Sequence, residues 1–336
     1  MAQSRPGLLA HPRPVDDQVR PRRDAASVEP MRSAPLNRPL HRTVIAGRYV
    51  LLDQIGAGGM GSVWRARDQR TGEVVAVKVL GQHSAALLVR FVREQAIRVR
   101  HPHVAAPTGW AAEDDTVVLT MDLVAGGSLQ DLLDTHGPVS AGYAARLLEQ
   151  LLQALAAVHA AGLVHRDVKP ANLLLEATGE GAPHLRLGDF GVAAPIADGR
   201  FTTVPGAIGT EGFMAPEQAR GALPDPCQDL YAVGRVGLQL MTGLRPEQQG
   251  TIGSSPLRPL LERLLVVDPE QRLASADAAL RLLRRLDVPY EPGPPVPDRL
   301  RGAPGAHDTD WIAWGALAVC SGVVALCVAV VVGVLL

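Results

Sequence analysis

His165-Arg166-Asp167-Val168-Lys169-Pro170-Ala171-Asn172 joins two segments of different apolar period. Ahead of it, Leu147 to Val158 spaces its apolar residues as a helix does; behind it, Leu173-Leu174-Leu175 reads as a strand. A loop between them holds one carboxylate, one ammonium and one amide close together. Phosphoryl transfer uses such a set: a base for a hydroxyl, a cation for a phosphate and an oxygen ligand for Mg²⁺. The plainer alternative is a polar turn between helix and strand, so the reading depends on what surrounds it.

The chain has 336 residues, 47% of them hydrophobic and 20% charged, with net charge −1. That is enough to bury a core in one large or two small domains, and nothing in the balance points to nucleic acid. Cys227, Cys320 and Cys327 form no zinc or disulfide spacing. Of the 33 basic residues only Lys78 and Lys169 are lysines. The Arg excess reads as coding bias. The two exceptions both fall in candidate phosphate-binding motifs, where a compact ammonium serves better than a planar fork.

Toward the N-terminus, Tyr49-Val50-Leu51-Leu52, Val63 to Arg67 and Glu73 to Leu80 read as an antiparallel meander. Its first turn is Gly56-Ala57-Gly58-Gly59-Met60-Gly61-Ser62-Val63. The glycines alone would also fit a dinucleotide fingerprint, but that turn runs from strand to helix, and here both flanks are strands. No Gly-Lys-Ser/Thr ending marks a Walker loop either. Lys78 follows Val75-Ala76-Val77 on a strand. Ser84 to Val99 is predicted helical, with Leu87, Phe91 and Glu94 on one face, which makes Glu94 the expected partner of Lys78. A strand Val117 to Met121 leads into Asp122-Leu123-Val124-Ala125-Gly126-Gly127, a linker.

Beyond the linker helices dominate. Ser140 is placed to cap a helix running to Ala161, with Gly162 as its stop. Asp229 to Met241, Leu257 to Val267 and Ala274 to Leu286 are further helical patterns. Between the loop and these lie Gly188-Asp189-Phe190-Gly191, after the strand Leu185 to Leu187, and Gly209-Thr210-Glu211-Gly212-Phe213-Met214-Ala215-Pro216-Glu217. Each taken alone could be an ordinary turn.

In this order and spacing the motifs resemble the signature set of protein kinases over Arg48 to Leu286. They are most similar to bacterial eukaryotic-like (Hanks-type) Ser/Thr kinases, which often carry Met-Ala-Pro-Glu-Gln, here Met214 to Gln218. The resemblance implies an α+β, two-lobed fold: an antiparallel five-stranded N-lobe with one helix, and a mainly helical C-lobe. It implies ATP and Mg²⁺ (or Mn²⁺) as cofactors and protein Ser/Thr hydroxyls as substrates. Asp167 then matches the catalytic base and Lys169 the contact to the transferred phosphate, with Lys78 and Glu94 as the phosphate-positioning pair. Asn172 and Asp189 match the metal ligands. Ile55, Gly56, Gly58, Gly61, Val63, Ala76, Lys78, Met121, Asp122 and Val124 match the nucleotide site, Met121 as gatekeeper. Thr202, Thr203 and Thr210 are the candidate regulatory hydroxyls, Thr202 aligning best with a phosphorylation site and Thr210 with the substrate site. Asp229 matches a brace of the catalytic loop, and Glu217 with Arg272 a structural ion pair. The stretch from Gly243 to Asp268 departs from the family by its shortness. A pseudokinase scaffold is the alternative, but none of the required Lys, Asp or ligand residues is lost. A small-molecule phosphotransferase is a further one, against which the long loop after Asp189 stands.

Two flanking regions complete the reading. Residues 1–47 carry eight Arg against four acids and no apolar period, and are expected to be disordered. Residues 287–310 are a Pro/Gly-rich juxtamembrane linker, and Trp311 to Leu336 contains no charge. Its 26 residues would make a helix of roughly 39 Å, against a hydrocarbon core of about 30 Å. A single membrane span is expected, at the cell membrane, with the kinase domain cytoplasmic and the C-terminus at the outer face without a sensor domain. Gly315, Ala318, Gly322, Ala325, Ala329 and Gly333 fall on one narrow face, a surface suited to a homodimer.

Overall fold

Alternation of side chains along a strand lets one sheet serve two faces at once, and the N-terminal half of the chain uses this. The computed structural model describes residues 43–58, 61–80, 99–113, 116–190, 193–196, 210–250 and 253–300. The strands there are β1 (Val44–Ile45), β2 (Tyr49–Gly58), β3 (Gly61–Asp68), β4 (Val74–Leu80), β5 (Gly109–Glu113) and β6 (Thr116–Met121). They form one antiparallel sheet in the order β1-β2-β3-β4-β6-β5. On one face Tyr49, Ala66, Val77 and Val118 make a small buried cluster. On the other, Leu80, Val117 and Leu119 join the main core, which continues into the helical half. Ala76 and Lys78, at even offsets from Leu80, share that second face. Register sets Ala76 opposite Met121 and Lys78 opposite Leu119.

The sheet has six strands rather than the expected five. The additional strand, β1, is two residues long and turns into β2 through Ala46 and Gly47, both at left-handed φ (53° and 57°). The Arg48 N–H closes the turn on the Ile45 carbonyl at 3.1 Å. A two-residue strand carries no period, and an alanine at positive φ is a poor turn signal, so the pattern hid it.

The helical half comprises α1 (Leu129–His136), α2 (Ala141–Ala160), the strands β7 (Leu163–Val164), β8 (Leu173–Leu175), β9 (Leu185–Leu187) and β10 (Ala194–Pro195), then α3 (Pro216–Ala219), α4 (Pro226–Thr242), α5 (Arg258–Leu264) and α6 (Ala276–Arg285). Ser128 and Asp131 form a reciprocal capping box on α1, and the Ser140 hydroxyl caps α2 as expected. Helix α2 is the centre of the core, with Leu147, Leu148, Leu151, Leu152 and Leu155 almost fully buried. At about 1.5–3 kcal/mol for each fully buried leucine, this one face is a major source of stability. Gly162, at φ 79°, ends the run and sends the chain into β7 and the catalytic-type loop. Among the described residues between Gly243 and α5 lies a 3₁₀ turn, Pro246–Gln248.

Residues 287–300 form neither helix nor strand, and they lie against the folded body. Val296 is 2% exposed and exchanges two main-chain hydrogen bonds of 2.9 Å with Gly179. The expected helix 84–99 is described only at Val99. Glu94, Thr202, Thr203, the N-terminal residues 1–42 and the apolar segment 311–336 lie outside the described residues. Among the described residues no helix is long and apolar enough to cross a membrane.

Candidate active site

One hairpin of the N-terminal sheet, a second short hairpin and one loop supply the candidate residues. The β2–β3 hairpin pairs Gly56 with Val63, Ala57 with Ser62 and Gly58 with Gly61; residues 59 and 60 at its tip lie outside the described residues. A register shift between Gln54 and Gly56 places Ile55 at a bulge. Gly61 has φ +135°, and a Cβ there would stand 2.0 Å from the Val79 carbonyl oxygen. Only glycine lets β3 run that close to β4. Val63 in turn lies opposite Lys78. Ile55, Val63, Ala76 and Met121 thus come from adjacent strands, and Asp122 and Val124 follow at once on the connection out of β6. The Asp122 carboxylate is taken by Arg186 at 2.7 Å. Its contribution to a bound base would therefore come from its main chain.

The β8–β9 pair brings the metal-ligand candidates together. Leu173 pairs with Leu187, so Asn172 and Gly188 stand side by side, and the Gly188 N–H donates to the Asn172 carbonyl at 2.9 Å. Asp189 follows with φ 56°, a left-handed conformation that turns its carboxylate toward the sheet. There Lys78 Nζ meets Asp189 Oδ1 at 2.5 Å. The Asn172 amide nitrogen donates to Asp167 Oδ2 at 2.9 Å and to the Asp167 carbonyl at 2.8 Å. Its amide oxygen is therefore the end that can face a cation. One amide oxygen and one carboxylate are hard donors, a set that fits Mg²⁺ or Mn²⁺ and would not suit a soft metal.

Asp167 is the centre of a tight polar group. Lys169 Nζ lies 2.8 Å from its Oδ2 and 2.5 Å from Thr210 Oγ1, and the Thr210 hydroxyl donates to Asp167 Oδ1 at 2.8 Å. Thr210 therefore sits where the Asp167 carboxylate and the Lys169 ammonium meet. A phosphate on that hydroxyl would press a second negative charge on the Asp167 carboxylate.

The loop is held from beneath by Asp229 on α4, which is 1% exposed. It accepts from the His165 N–H (2.9 Å), the Arg166 N–H (2.8 Å) and His159 Nε2 (2.8 Å). Burial by itself would raise its carboxyl; the His159 hydrogen bond, the neighbouring His159 and His165 rings and the main-chain donor outweigh this and hold it below the usual value. His165 donates from Nε2 to the Gly188 carbonyl at 2.9 Å and packs edge-on against Phe190 with ring centroids 5.0 Å apart. That contact links the loop to the segment bearing Asp189. Arg166 has φ 69°, and its carbonyl accepts from Gln218 Nε2 at 2.8 Å. Burial lowers its guanidinium below the ordinary value, offset in part by Asp229. Positive φ at two non-glycine residues, Arg166 and Asp189, is local strain held in place by these bonds. The expected ion pair is present and two-pronged: Arg272 reaches Glu217 at 2.7 and 3.1 Å and also bonds the Val266 and Cys227 carbonyls.

Sequence reasoning missed His159, Gln218 and Arg186, which hold the loop and the linker. The only sign of His159 was its place at the end of α2, six residues ahead of His165. Gln218 and Arg186 meet their partners across 52 and 64 residues, so no local pattern announces them. Of the expected site residues, the structure brings Lys78 to Asp189, Asn172 to Asp167, and Thr210 to both Asp167 and Lys169. The Lys78–Glu94 pair lies partly outside the described residues.

A family profile described as "Protein kinase domain" matches residues 49–282. The chain is 35% identical over 273 residues to serine/threonine-protein kinase PkaA of Streptomyces coelicolor, covering 71% of this chain and 50% of that protein. It is 36% identical over 296 residues to serine/threonine-protein kinase PknA of Mycobacterium tuberculosis, covering 78% and 67%. With serine/threonine-protein kinase PrkC of Bacillus subtilis it shares 34% over 207 residues, 60% of this chain and 31% of that protein. The chain thus spans about half to two thirds of the first two relatives' length.

Proposed function

Because the chain belongs to the protein kinase family, we propose that it is an ATP-dependent Ser/Thr protein kinase. The observation that carries this is the convergence of Asp167, Lys169, Asn172 and Thr210 within hydrogen-bond distance beside the Lys78–Asp189 pair. Asp167 accepts the proton of the incoming Ser or Thr hydroxyl. That oxygen bonds to the γ-phosphorus as the bond to the ADP oxygen breaks. Lys169 stabilises charge on the phosphoryl oxygens in flight, and Asn172 aligns the Asp167 carboxylate through its amide N–H. Lys78 steadies the phosphates of ATP from the sheet, with Glu94 as its second partner. Asn172 and Asp189 would hold Mg²⁺ or Mn²⁺, which would supply positive charge to the phosphates. The glycine hairpin closes main-chain N–H groups over the phosphates, and Ile55, Val63, Ala76, Met121 and the Asp122–Val124 main chain take the base.

The finer reading is that Arg166, beside the base, pairs with a phosphate placed on Thr202 or Thr203 by autophosphorylation. Residues 311–336 would anchor the chain as a single span, with the domain on the cytoplasmic side where ATP is, and dimerise through their small-residue face. The test is purified full chain with labelled ATP, Mg²⁺ and a generic protein substrate. Asp167→Asn is expected to keep nucleotide binding and to lose transfer by at least about a hundredfold. Normal turnover in that variant would sink the assignment.

A further inference from the structure

The linker after α6 does not leave the domain directly. Pro289 and Glu291 pass over the first turn of α2, where a Cβ on Gly142 would stand 2.2 Å from the Pro289 carbonyl oxygen. Gly293 lies flat on the Tyr143 ring, and a Cβ there would come within 2.3 Å of a ring carbon. The Tyr143 hydroxyl donates to the Pro294 carbonyl at 3.2 Å, and burial pushes that phenol up to about 12, so it remains a donor. Val296 then bridges to Gly179, and its methyl lies so near Gly126 that a Cβ there would be 2.5 Å away. The Arg299 N–H donates to the Ala125 carbonyl at 2.9 Å, and Arg65 of β3 reaches the Leu300 carbonyl at 3.3 Å. One extended segment therefore touches α2, the β8–β9 turn, the connection between the lobes and the N-terminal sheet. Gly126, Gly142 and Gly293 supply the clearances along its course.

We propose that residues 287–300 are a brace that positions the nucleotide site by fixing the 122–127 connection. Val296 and Arg299 are its positioning residues. This rests on the kinase reading, since Ala125 adjoins the main chain assigned to the adenine. A connection held on its outer side is pre-organised for the base, and freeing it reduces affinity by the fraction of time spent misaligned. Residue 300, at the end of the brace, lies beside the connection and β3.

The experiment uses the full chain with Val296→Asp, which places a charge in a buried slot, and Gly142→Ala, whose methyl displaces 289–291 while alanine favours the helix. Three quantities are measured: protease cleavage within 287–300, affinity for a fluorescent ATP analogue with Mg²⁺, and KM and kcat. Both variants are expected to be cut sooner and to bind the analogue about fivefold or more weakly. KM for ATP is expected to rise by the same factor, and kcat at saturating ATP to stay within about twofold. Should Val296→Asp fail to fold, Gly142→Ala decides. Unchanged affinity in the folded variants, whatever the cleavage pattern, overturns the brace. Binding without phosphate transfer in the unaltered chain would instead overturn the kinase reading, and the affinity comparison would still decide the brace.

Discussion

Replacing Asp229 by Asn tests how much of the active-site loop depends on one buried carboxylate. Asp229 accepts from two consecutive main-chain N–H groups, those of His165 and Arg166, and from His159 Nε2. Asparagine keeps one oxygen and turns an amide N–H₂ toward a donor. At least one main-chain N–H is then left facing another donor in a site without water access. Hydrogen bonds to charged groups contribute about 1.5–3 kcal/mol each, and breaking a buried ionic group by one partner costs about 3–5 kcal/mol. For a domain of roughly 250 residues, about 2–4 °C per kcal/mol gives a fall in Tm of about 10 °C at pH 7. The pH dependence has a fixed sign. The folded carboxyl is held below its ordinary value, so its stabilisation is present above the unfolded value of about 3.9 and is lost as pH falls through the folded one. The gap between the parent chain and Asp229→Asn should therefore be flat near neutrality and close only on acidification below about pH 4. Thermal melts of both proteins between neutral and acid pH, followed by near-UV circular dichroism, read this directly. The variant should also turn over more slowly, because the 165–167 main chain carries Asp167. A variant melting within about 2 °C of the parent at pH 7, with normal kcat, would refute the reasoning.

Two further predictions concern the nucleotide and substrate sides. Gly61→Ala sets a methyl against the Val79 carbonyl at a φ that alanine resists; it should lose about 1–3 kcal/mol of stability and most nucleotide affinity, measured by melting and by titration with a fluorescent ATP analogue. Thr210→Ala removes the hydroxyl shared by Lys169 and Asp167 and should lower kcat by about tenfold or more, whereas Thr210→Ser keeps the hydroxyl and should stay within a few fold of the parent in steady-state assays.

What could be read from the sequence was whatever depends on local order. The His165–Asn172 loop was placed correctly because a helical period stops and an apolar strand begins on either side of it. Ser140 and Gly162 framed α2 because caps act within one turn. Lys78 was placed on a strand, and alternation along that strand puts it on the face opposite Val77. The interactions that tie these pieces together come from far along the chain, and no period encodes them. Gln218 finds the Arg166 carbonyl only because α3 is folded back under the loop, and Arg186 finds Asp122 only because β9 lies behind β6. The segment 287–300 shows the same limit in sharper form. Its prolines and glycines exclude a regular helix or strand, and a semi-extended linker was expected. Composition is silent on whether an extended chain hangs free or lies in a groove, because the groove is made by other residues. Its mark in the sequence is indirect: Gly142 in the first turn of a helix that an alanine would favour, and Gly126 beside a strand end. A glycine where local propensity asks for a side chain points to something passing close by, and here that neighbour is the chain's own segment 287–300.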